Sequence, residues 1–326
     1  MDGLMPRRRK VLLGAASLAA MPVPGAALGQ QHQQVRRSPG PEPPQPLSPA
    51  LAATATRSGP AWDATGRTFL FDPDVGTART IEMSGDVAQV VQLADVGGSS
   101  RTLRQVANPS ARPPLVTVFG RGVLDLDQGF ANLDADSAVS DDMRNIAPST
   151  GATVHVVWIT PARLGGDHCP LFGVYTADSY YPCNMIGINA AIHGQGLINW
   201  REGNHGAHTA GSIRRWKPNT AYLLTVRYNT DGSTDLFVDG VRQGTSDAPA
   251  PLDDTIPVTG GQLGGLWPRE GVCNSYGKIG AVMRYATPRT DAKIATDALI
   301  KKQRYWDVAS MLGRGDEGLP SRMATT

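Results

Sequence analysis

The sequence predicts an all-β protein, an antiparallel β-sandwich that carries one C-terminal helix. Apolar residues alternate with polar ones at period two, and Gly, Pro, Asn and Asp interrupt these segments. Glycine is abundant, at 37 of 326 residues, and only 18% of residues are charged. This balance favours tight turns and short strands over long solvated helices. Apolar residues at helical spacing are clear in one segment, close to the C-terminus.

The clearest strand lies at residues 153–160. One face of this segment carries Val154, Val156 and Trp158, which is the alternation of a strand with one buried face. Segments rich in β-branched and aromatic residues predict further strands. These segments are residues 68–71, 116–119, 122–126, 185–191, 196–201 and 277–285.

A β-hairpin is predicted in the second half of the chain. Two apolar segments, residues 221–228 and 234–238, are separated by a turn that contains Asp231 and Gly232. The Asp-Gly pair supplies the positive backbone angles that such turns need. A second tight turn, at residues 239–240, leads into a further short strand.

The predicted helix follows this β-rich region. Thr290 or Asp291 supplies its N-cap, since a short oxygen-bearing side chain accepts a hydrogen bond from the first turn. The apolar residues that follow at helical spacing are Ile294, Leu299, Ile300 and Tyr305. Many strands with one terminal helix indicate a β-sandwich.

Residues 1–29 have the composition of a signal peptide. A basic run at residues 7–10 precedes an apolar run at 11–20 that is too short to span a bilayer, and small residues at 27–29 offer a cleavage site. The paired arginines resemble the twin-arginine (Tat) signature for export of folded proteins across a bacterial membrane. We expect a periplasmic or secreted protein that begins near Gln30. The alternatives are the general (Sec) route and a basic, apolar N-terminus of a cytoplasmic protein.

Composition divides the rest of the chain into three parts. Residues 30–60 form a Pro/Gln-rich linker, residues 61–308 the sandwich domain, and residues 309–326 a flexible tail. The net charge of +2 falls once the leader is removed, so neither a nucleic-acid nor an anionic-membrane surface is expected. There is no phosphate-binding glycine loop, no Gly-x-Ser-x-Gly elbow and no dinucleotide fingerprint. We expect a monomer with no membrane span.

The three cysteines are Cys169, Cys183 and Cys273. An exported compartment permits disulfides. A bond between Cys169 and Cys183 would close a short loop and contribute roughly 3 kcal/mol in the chain-entropy model. Cys273 would then be unpaired. The other two pairings stay open, as does a buried, inert thiol.

Three stretches carry a family resemblance. They are residues 85–90 with 103–105, the strand pair that contains residues 236–241, and residues 277–285 with the helix that closes at 305–306. Their order resembles the concanavalin A-like lectin/glucanase superfamily, in its laminin-G-like branch, over roughly residues 62–306. Val90 stands where many relatives have tryptophan. The resemblance implies a jelly roll with a concave sheet face that binds sugar, and it bears on fold more than on activity.

A sugar site needs an aromatic platform for the apolar face of the ring and planar polar side chains for its hydroxyls. The richest supply lies in residues 175–213, with a further candidate in an expected loop at 267–270. The predicted ligand-binding residues are Tyr180, Tyr181, Asn189, His193, Trp200, Arg201 and Trp267. The alternative is that these residues are ordinary core, rim or turn residues.

The enzymes of this fold use recognisable motifs, and this chain departs from both. Retaining glucanases carry Glu-x-Asp-x-x-Glu, whereas the glutamates of this domain are far apart in sequence, at Glu82, Glu202 and Glu270. The lyase motif Gln-x-His is also absent from the domain. If the protein is an enzyme, we expect a polysaccharide lyase in preference to a glycoside hydrolase. The catalytic candidates would then be His193, Arg201, Glu202 and Tyr181.

No metal or cofactor is predicted, with calcium as the alternative. His205 and His208 lie in a glycine-rich segment that would not hold both imidazoles on one face. Acid-rich stretches at 134–136, 141–142 and 253–254 offer oxygen ligands for calcium but lack a defined loop motif. We therefore expect an exported protein that binds a polysaccharide or cell-surface glycan without catalysis. A polysaccharide-degrading enzyme and an adhesion module with a protein partner are the alternatives.

Overall fold

The structure is a computed structural model, and it describes residues 60–127, 131–144, 146, 149–162, 168–176, 182–189, 196–201, 207–210, 216–246, 258–264 and 275–305. These residues form two antiparallel sheets that pack face to face, so the predicted all-β sandwich is confirmed. None of the helices in these ranges combines the length and the apolar character that crossing a bilayer requires.

Sheet A has eight strands. They are β1 Arg67–Phe71, β5 Leu115–Val118, β6 Arg121–Asp125, β8 Ala152–Ile159, β13 Ala221–Tyr228, β14 Thr234–Val238, β15 Val241–Ser246 and β17 Lys278–Tyr285. Their order across the sheet is β15-β14-β13-β8-β17-β6-β5, and β1 pairs with β17. The predicted hairpin is β13 and β14, and its turn is closed by a 2.8 Å hydrogen bond from the N–H of Asn229 to the carbonyl of Ser233.

Sheet B has nine strands. They are β2 Arg79–Ser84, β3 Val87–Ala94, β4 Thr102–Arg104, β7 Asn132–Ala135, β9 His168–Thr176, β10 Pro182–Asn189, β11 Gly196–Arg201, β12 Ala207–Ala210 and β16 Val258–Gly264. Their order is β12-β11-β10-β9-β16-β7-β4-β3-β2. Strands that are distant in sequence are therefore neighbours in this sheet, as β16 is between β7 and β9.

Within the described ranges, two α-helices accompany the sheets. The predicted C-terminal helix is α2, Asp291–Arg304, and its N-cap Thr290 accepts a 3.3 Å hydrogen bond from the N–H of Lys293. The short helix α1, Ser137–Arg144, was not predicted. Asp136 caps it by accepting a 2.9 Å hydrogen bond from the N–H of Val139, so one of the acidic residues considered for calcium is a helix cap. The 3₁₀ helices are Gly76–Ala78 and Pro109–Ala111.

The core lies between the sheets and contains the alternating side chains predicted for β8. Val154, Val156 and Trp158 are fully buried there. The indole N–H of Trp158 donates a 2.8 Å hydrogen bond to the carbonyl of Tyr276, which satisfies the polar atom that a buried tryptophan brings with it. Every residue of β8 is buried, so both faces of this strand are covered and not only the predicted one.

Helix α2 is the reason that β8 is buried on both faces. A second apolar cluster, which includes Val157, Leu223 and Ala298, lies between sheet A and this helix. Lys301 Nζ donates a 2.9 Å hydrogen bond to the carbonyl of Ala221, and the hydroxyl of Tyr305 donates one of 2.7 Å to the carbonyl of Gly280. Sheet A therefore presents its outer face to a helix, and the sheet face left for a ligand is that of sheet B.

The register of β9 and β10 does not support the predicted disulfide between Cys169 and Cys183. Cys169 lies opposite Ile188 in the register of β9 and β10, and Cys183 is five residues from Ile188 along β10. At about 3.3 Å per residue the two α-carbons are roughly 16 Å apart, whereas a disulfide takes less than about 7 Å. The buried sulfur of Cys169 accepts a 3.1 Å hydrogen bond from the N–H of Tyr276.

Candidate functional site

The candidate site lies on the outer face of sheet B. Seven residues lie directly opposite one another on neighbouring strands, and we call them the outer row: Gln92, Arg104, Asp134, Gln262, Gly173, Met185 and Trp200. The next row along the strands contains Leu103, Ala135 and Val174, which face the core. Since side chains alternate along a strand, the outer row lies on the face turned away from the core.

Four planar polar side chains meet in the middle of this face, and we call them the polar cluster: Gln105, Asn132, Asp134 and Gln262. Gln262 Nε2 donates a 2.8 Å hydrogen bond to Asp134 Oδ1. Gln105 Nε2 donates to Asn132 Oδ1 at 2.6 Å and to Asp134 Oδ2 at 3.5 Å. The four groups come from β16, β7 and the residue after β4, so the sheet register assembles them.

Contacts with the backbone hold Gln105 in place. Its Oε1 accepts a 3.0 Å hydrogen bond from the N–H of Asn108, and its carbonyl accepts one of 2.9 Å from Arg112 Nε. Arg112 in turn pairs with Glu82 at 2.5 Å. The donor that orients Asn132 and Asp134 is therefore itself fixed before any ligand arrives, which lowers the entropy cost of binding.

Acceptors outnumber donors in the polar cluster. Asp134 is half-buried, and no Lys, Arg or His of the described residues forms an ion pair with it. A carboxylate only accepts, so the amide nitrogen of Gln262 must face Asp134 and its oxygen must point elsewhere. Gln262 is 8% exposed, and its Oε1 has no hydrogen-bond partner within the described structure.

Tyr175 provides an aromatic ring beside the cluster. It lies on β9 opposite Gly260, and its hydroxyl is 2.8 Å from the position that a β-carbon at Gly260 would take. Glycine at position 260 thus makes room for the ring. Burial raises the pKa of Tyr175, and the negative charge of Asp134 raises it further, so the phenol stays protonated and can donate a hydrogen bond. Gly173, in the outer row, leaves the neighbouring surface without a side chain.

The structure brings only some of the sequence-predicted residues to this face. The backbone of Trp200 lies in the outer row, and Asn189 lies on β10 at the same alternation as Met185. Arg201 instead lies opposite Asn184, whose row faces the core. The other candidates, Tyr180, Tyr181, His193, Glu202 and Trp267, lie outside the described residues.

Sequence reasoning missed most of the polar cluster. Asp134 was considered only as a calcium ligand, and Gln105, Asn132, Gln262 and Tyr175 carried no predicted role in binding. A signal did exist in β7, because Asn132 and Asp134 alternate with the core residue Leu133. Gln262 is a single polar residue among glycines and carries no pattern of its own.

The carboxylates near the site do not form a glycosidase pair. Glu82 lies on β2, three strands from Asp134 on β7, which is roughly 14 Å at about 4.8 Å per step, beyond the separations that glycosidases use. Asp136 is closer, but its Oδ2 accepts hydrogen bonds from Thr102 at 2.6 and 3.1 Å and its Oδ1 caps helix α1. In the described part of the chain, no group of three or more His, Cys, Asp or Glu is placed to hold a metal ion.

Comparisons with solved structures found partial likenesses to this chain. The binding domain of Paraclostridial Mosquitocidal Protein 1 matches 72% of this chain with a TM-score of 0.48 and 10% identity, and the match spans 52% of that chain. A Trypanosoma rangeli sialidase matches 78% of it with a TM-score of 0.46 and 13% identity, over 37% of the sialidase. Domain 4 of AbnA, a GH43 extracellular arabinanase from Geobacillus stearothermophilus solved with arabinotriose, matches 71% with a TM-score of 0.42 and 13% identity, over 98% of that domain.

These likenesses assign neither a ligand nor an activity to this chain, since the TM-scores lie below 0.5. The match spans about half the length of the toxin binding domain and less of the sialidase. No family model matches the sequence, and no curated protein matches it significantly. The chain is a β-sandwich, and its ligand has to be inferred from its own surface.

Proposed function

We propose that this protein binds a glycan, without catalysis, on the outer face of sheet B. The observation that carries the proposal is the polar cluster around Asp134. A carboxylate and three amide side chains lie within hydrogen-bonding distance of one another, and the carboxylate has no cationic partner among the described residues. Such groups suit the hydroxyls of a sugar ring, which donate and accept hydrogen bonds in fixed directions.

The position of the cluster also favours a glycan chain over a single small molecule. The outer row crosses seven neighbouring strands, which is roughly 29 Å at about 4.8 Å per step. Tyr175 lies beside the cluster and offers an aromatic ring for stacking. An elongated surface of this kind lets several sugar units contact the protein, so that individually weak contacts add.

The arrangement of carboxylates favours binding over cleavage. Hydrolysis of a glycosidic bond needs a proton donor near a second carboxylate. Asp136 has both oxygens engaged by other groups, and Glu82 is three strands away and paired with Arg112. A lyase would need a base near a cation that neutralises a uronate, and Asp134 has no such cation paired to it among the described residues.

The experiment combines retention on insoluble polysaccharides with detection of reducing and unsaturated ends. We expect retention without new ends. The variant Asp134→Ala should bind at least tenfold more weakly, because a hydrogen bond to a charged group contributes about 1.5–3 kcal/mol. The matched control is Asp141→Ala, which removes an exposed carboxylate from helix α1. Released ends would contradict the binding role, and retention unaffected by Asp134→Ala would move the site elsewhere.

We also propose that the protein reaches its ligand by export, with residues 1–29 removed. The proposal rests on the order of basic, apolar and small residues in the leader. Cell fractionation and the intact mass of the recovered protein test it. The double change Arg8→Lys and Arg9→Lys should block export by the twin-arginine route and leave the general route working.

A further inference from the structure

We infer that the glycan bound at the polar cluster is neutral, and that the site discriminates against polymers of uronic acids. The inference rests on the proposed function, because it assumes that the outer face of sheet B binds glycan. It goes beyond that function by naming the chemical class of the ligand.

The first step is that amide hydrogens of Gln105 and Gln262 already point at acceptors inside the cluster. Gln105 Nε2 has two hydrogens, which point to Asn132 Oδ1 at 2.6 Å and Asp134 Oδ2 at 3.5 Å. Gln262 Nε2 points to Asp134 Oδ1 at 2.8 Å. The amide hydrogens that face the carboxylate of Asp134 are therefore already engaged by it.

The second step is that acceptors remain unfilled. A carboxylate has about four lone-pair sites, and Asp134 receives two hydrogen bonds from these amides. Gln262 Oε1 is buried and has no partner within the described structure, although buried acceptors are ordinarily paired. Gln262 Oε1 thus lacks a donor within the described residues, and a sugar hydroxyl is a donor that a neutral glycan supplies at every ring.

The third step concerns charge. Asp134 is half-buried and no cation of the described residues forms an ion pair with it, so its negative charge acts on an incoming ligand. A uronate carboxylate about 4 Å away would be repelled, and at a partly desolvated site this corresponds to a roughly tenfold to hundredfold weaker affinity. Arg104 lies opposite Asp134 in the register, but its side chain is exposed and makes no ion pair in the described structure.

The experiment compares each uronic acid polymer with its carboxyl-reduced counterpart, which keeps the backbone and loses the charge. Binding of the mature protein to glucuronan and polygalacturonate, and to their reduced forms, would be measured by titration calorimetry in low salt. A panel of neutral glucans, galactans and arabinans completes the series. We expect at least tenfold tighter binding of the neutral member wherever a pair binds.

Two variants locate the discrimination. Asp134→Asn keeps the shape of the side chain and removes the charge, so the preference for the neutral member should fall several-fold. Arg104→Gln removes the positive charge that lies opposite Asp134 in the register, so the preference for the neutral member should rise. Asp141→Asn is the matched control, since it removes an exposed carboxylate on helix α1 and should preserve the preference. Thermal unfolding of each variant verifies that it is folded.

The outcomes separate the two proposals. If no polymer of either kind binds, the proposed function fails and the inference falls with it. If uronic acid polymers bind as tightly as their reduced forms or more tightly, the inference is overturned while glycan binding stands. Loss of that acid binding in Arg104→Gln would then identify the arginine as the recognising group. The binding of acidic and reduced polymers by the wild-type protein decides the inference by itself. The inference can therefore be overturned even if a variant fails to fold.

Discussion

Replacement of Asp297 by Asn should destabilise the whole domain, because this carboxylate anchors helix α2 to sheet A. Asp297 is completely buried. Its Oδ2 lies 2.7 Å from Arg289 Nε, and its Oδ1 accepts a 3.1 Å hydrogen bond from Arg289 Nη2. The same Oδ2 lies 3.3 Å from His155 Nε2, on the central strand β8. An amide at this position removes the charge and brings hydrogens toward the guanidinium.

The expected loss of free energy of unfolding follows from the charge left behind. Removal of one partner of a buried ion pair costs about 3–5 kcal/mol. Arg289 retains a 3.1 Å contact with Asp63 and lies 4.0 Å from the centre of the Tyr285 ring, so part of its charge stays compensated. We therefore expect about 3 kcal/mol, the lower end of this range. That loss is a large fraction of the free energy of unfolding of a native domain, which is roughly 5–15 kcal/mol.

Urea unfolding followed by tryptophan fluorescence measures this loss, since Trp158 is buried in the core. The control is Gln303→Asn, at an exposed position of the same helix, which should change the free energy by less than about 0.5 kcal/mol. A double variant that replaces Asp297 with Leu and Arg289 with Met should be more stable than Asp297→Asn, because no charge is left buried. A loss below about 1 kcal/mol for Asp297→Asn would refute the anchoring role.

Three further predictions concern single positions. Burial lowers the pKa of His155 despite its contact with Asp297. Below pH 6.5 the imidazole is therefore protonated more readily in the unfolded chain than in the folded protein. The free energy of unfolding should then decrease as the pH is lowered, by up to about 1.4 kcal/mol per pH unit. Urea curves at pH 7.5, 6.0 and 5.0 should show this slope in the wild type and lose it in His155→Gln. Gly277→Ala should lower the free energy of unfolding by at least about 2 kcal/mol, because φ is +85° and a β-carbon there would clash with the carbonyl oxygen of Ile159. Gly76→Ala has open space and should be nearly neutral in thermal unfolding. Mass spectrometry of non-reduced peptides should find no Cys169–Cys183 bond, and recovery of that linked peptide would contradict the register of β9 and β10.

The parts of the fold that sequence reasoning predicted are those encoded by local signals. The hairpin of β13 and β14 depends on alternation and on the Asp231–Gly232 turn, and both lie within 20 residues. Helix α2 carries a cap and helical spacing in one segment. Helix α1 has eight residues, which is too short for its periodicity to stand out from its cluster of acidic residues.

The candidate site depended much less on local signals. Gln105, Asp134 and Gln262 are as much as 157 residues apart in sequence, and they meet because β16 pairs with β7 and β7 with β4. Residues 175–213, where aromatic and polar residues are dense in the sequence, were instead expected to form the site. Density in sequence says little about a sheet surface, since alternate residues of a strand face opposite sides and neighbouring strands come from distant segments.

The sequence by itself determined the class of the fold, the central strand β8 and the terminal helix, because each follows from periodicity and turn chemistry within a short segment. It also determined which side chains were present for a sugar site. Only the tertiary structure decided that helix α2 covers the outer face of sheet A and that Cys169 and Cys183 lie far apart. It alone placed Asp134 between Gln105 and Gln262 on the other sheet. The physical reason is that strand order and register arise from packing of the whole sandwich, and a one-residue change of register would turn the cluster toward the core.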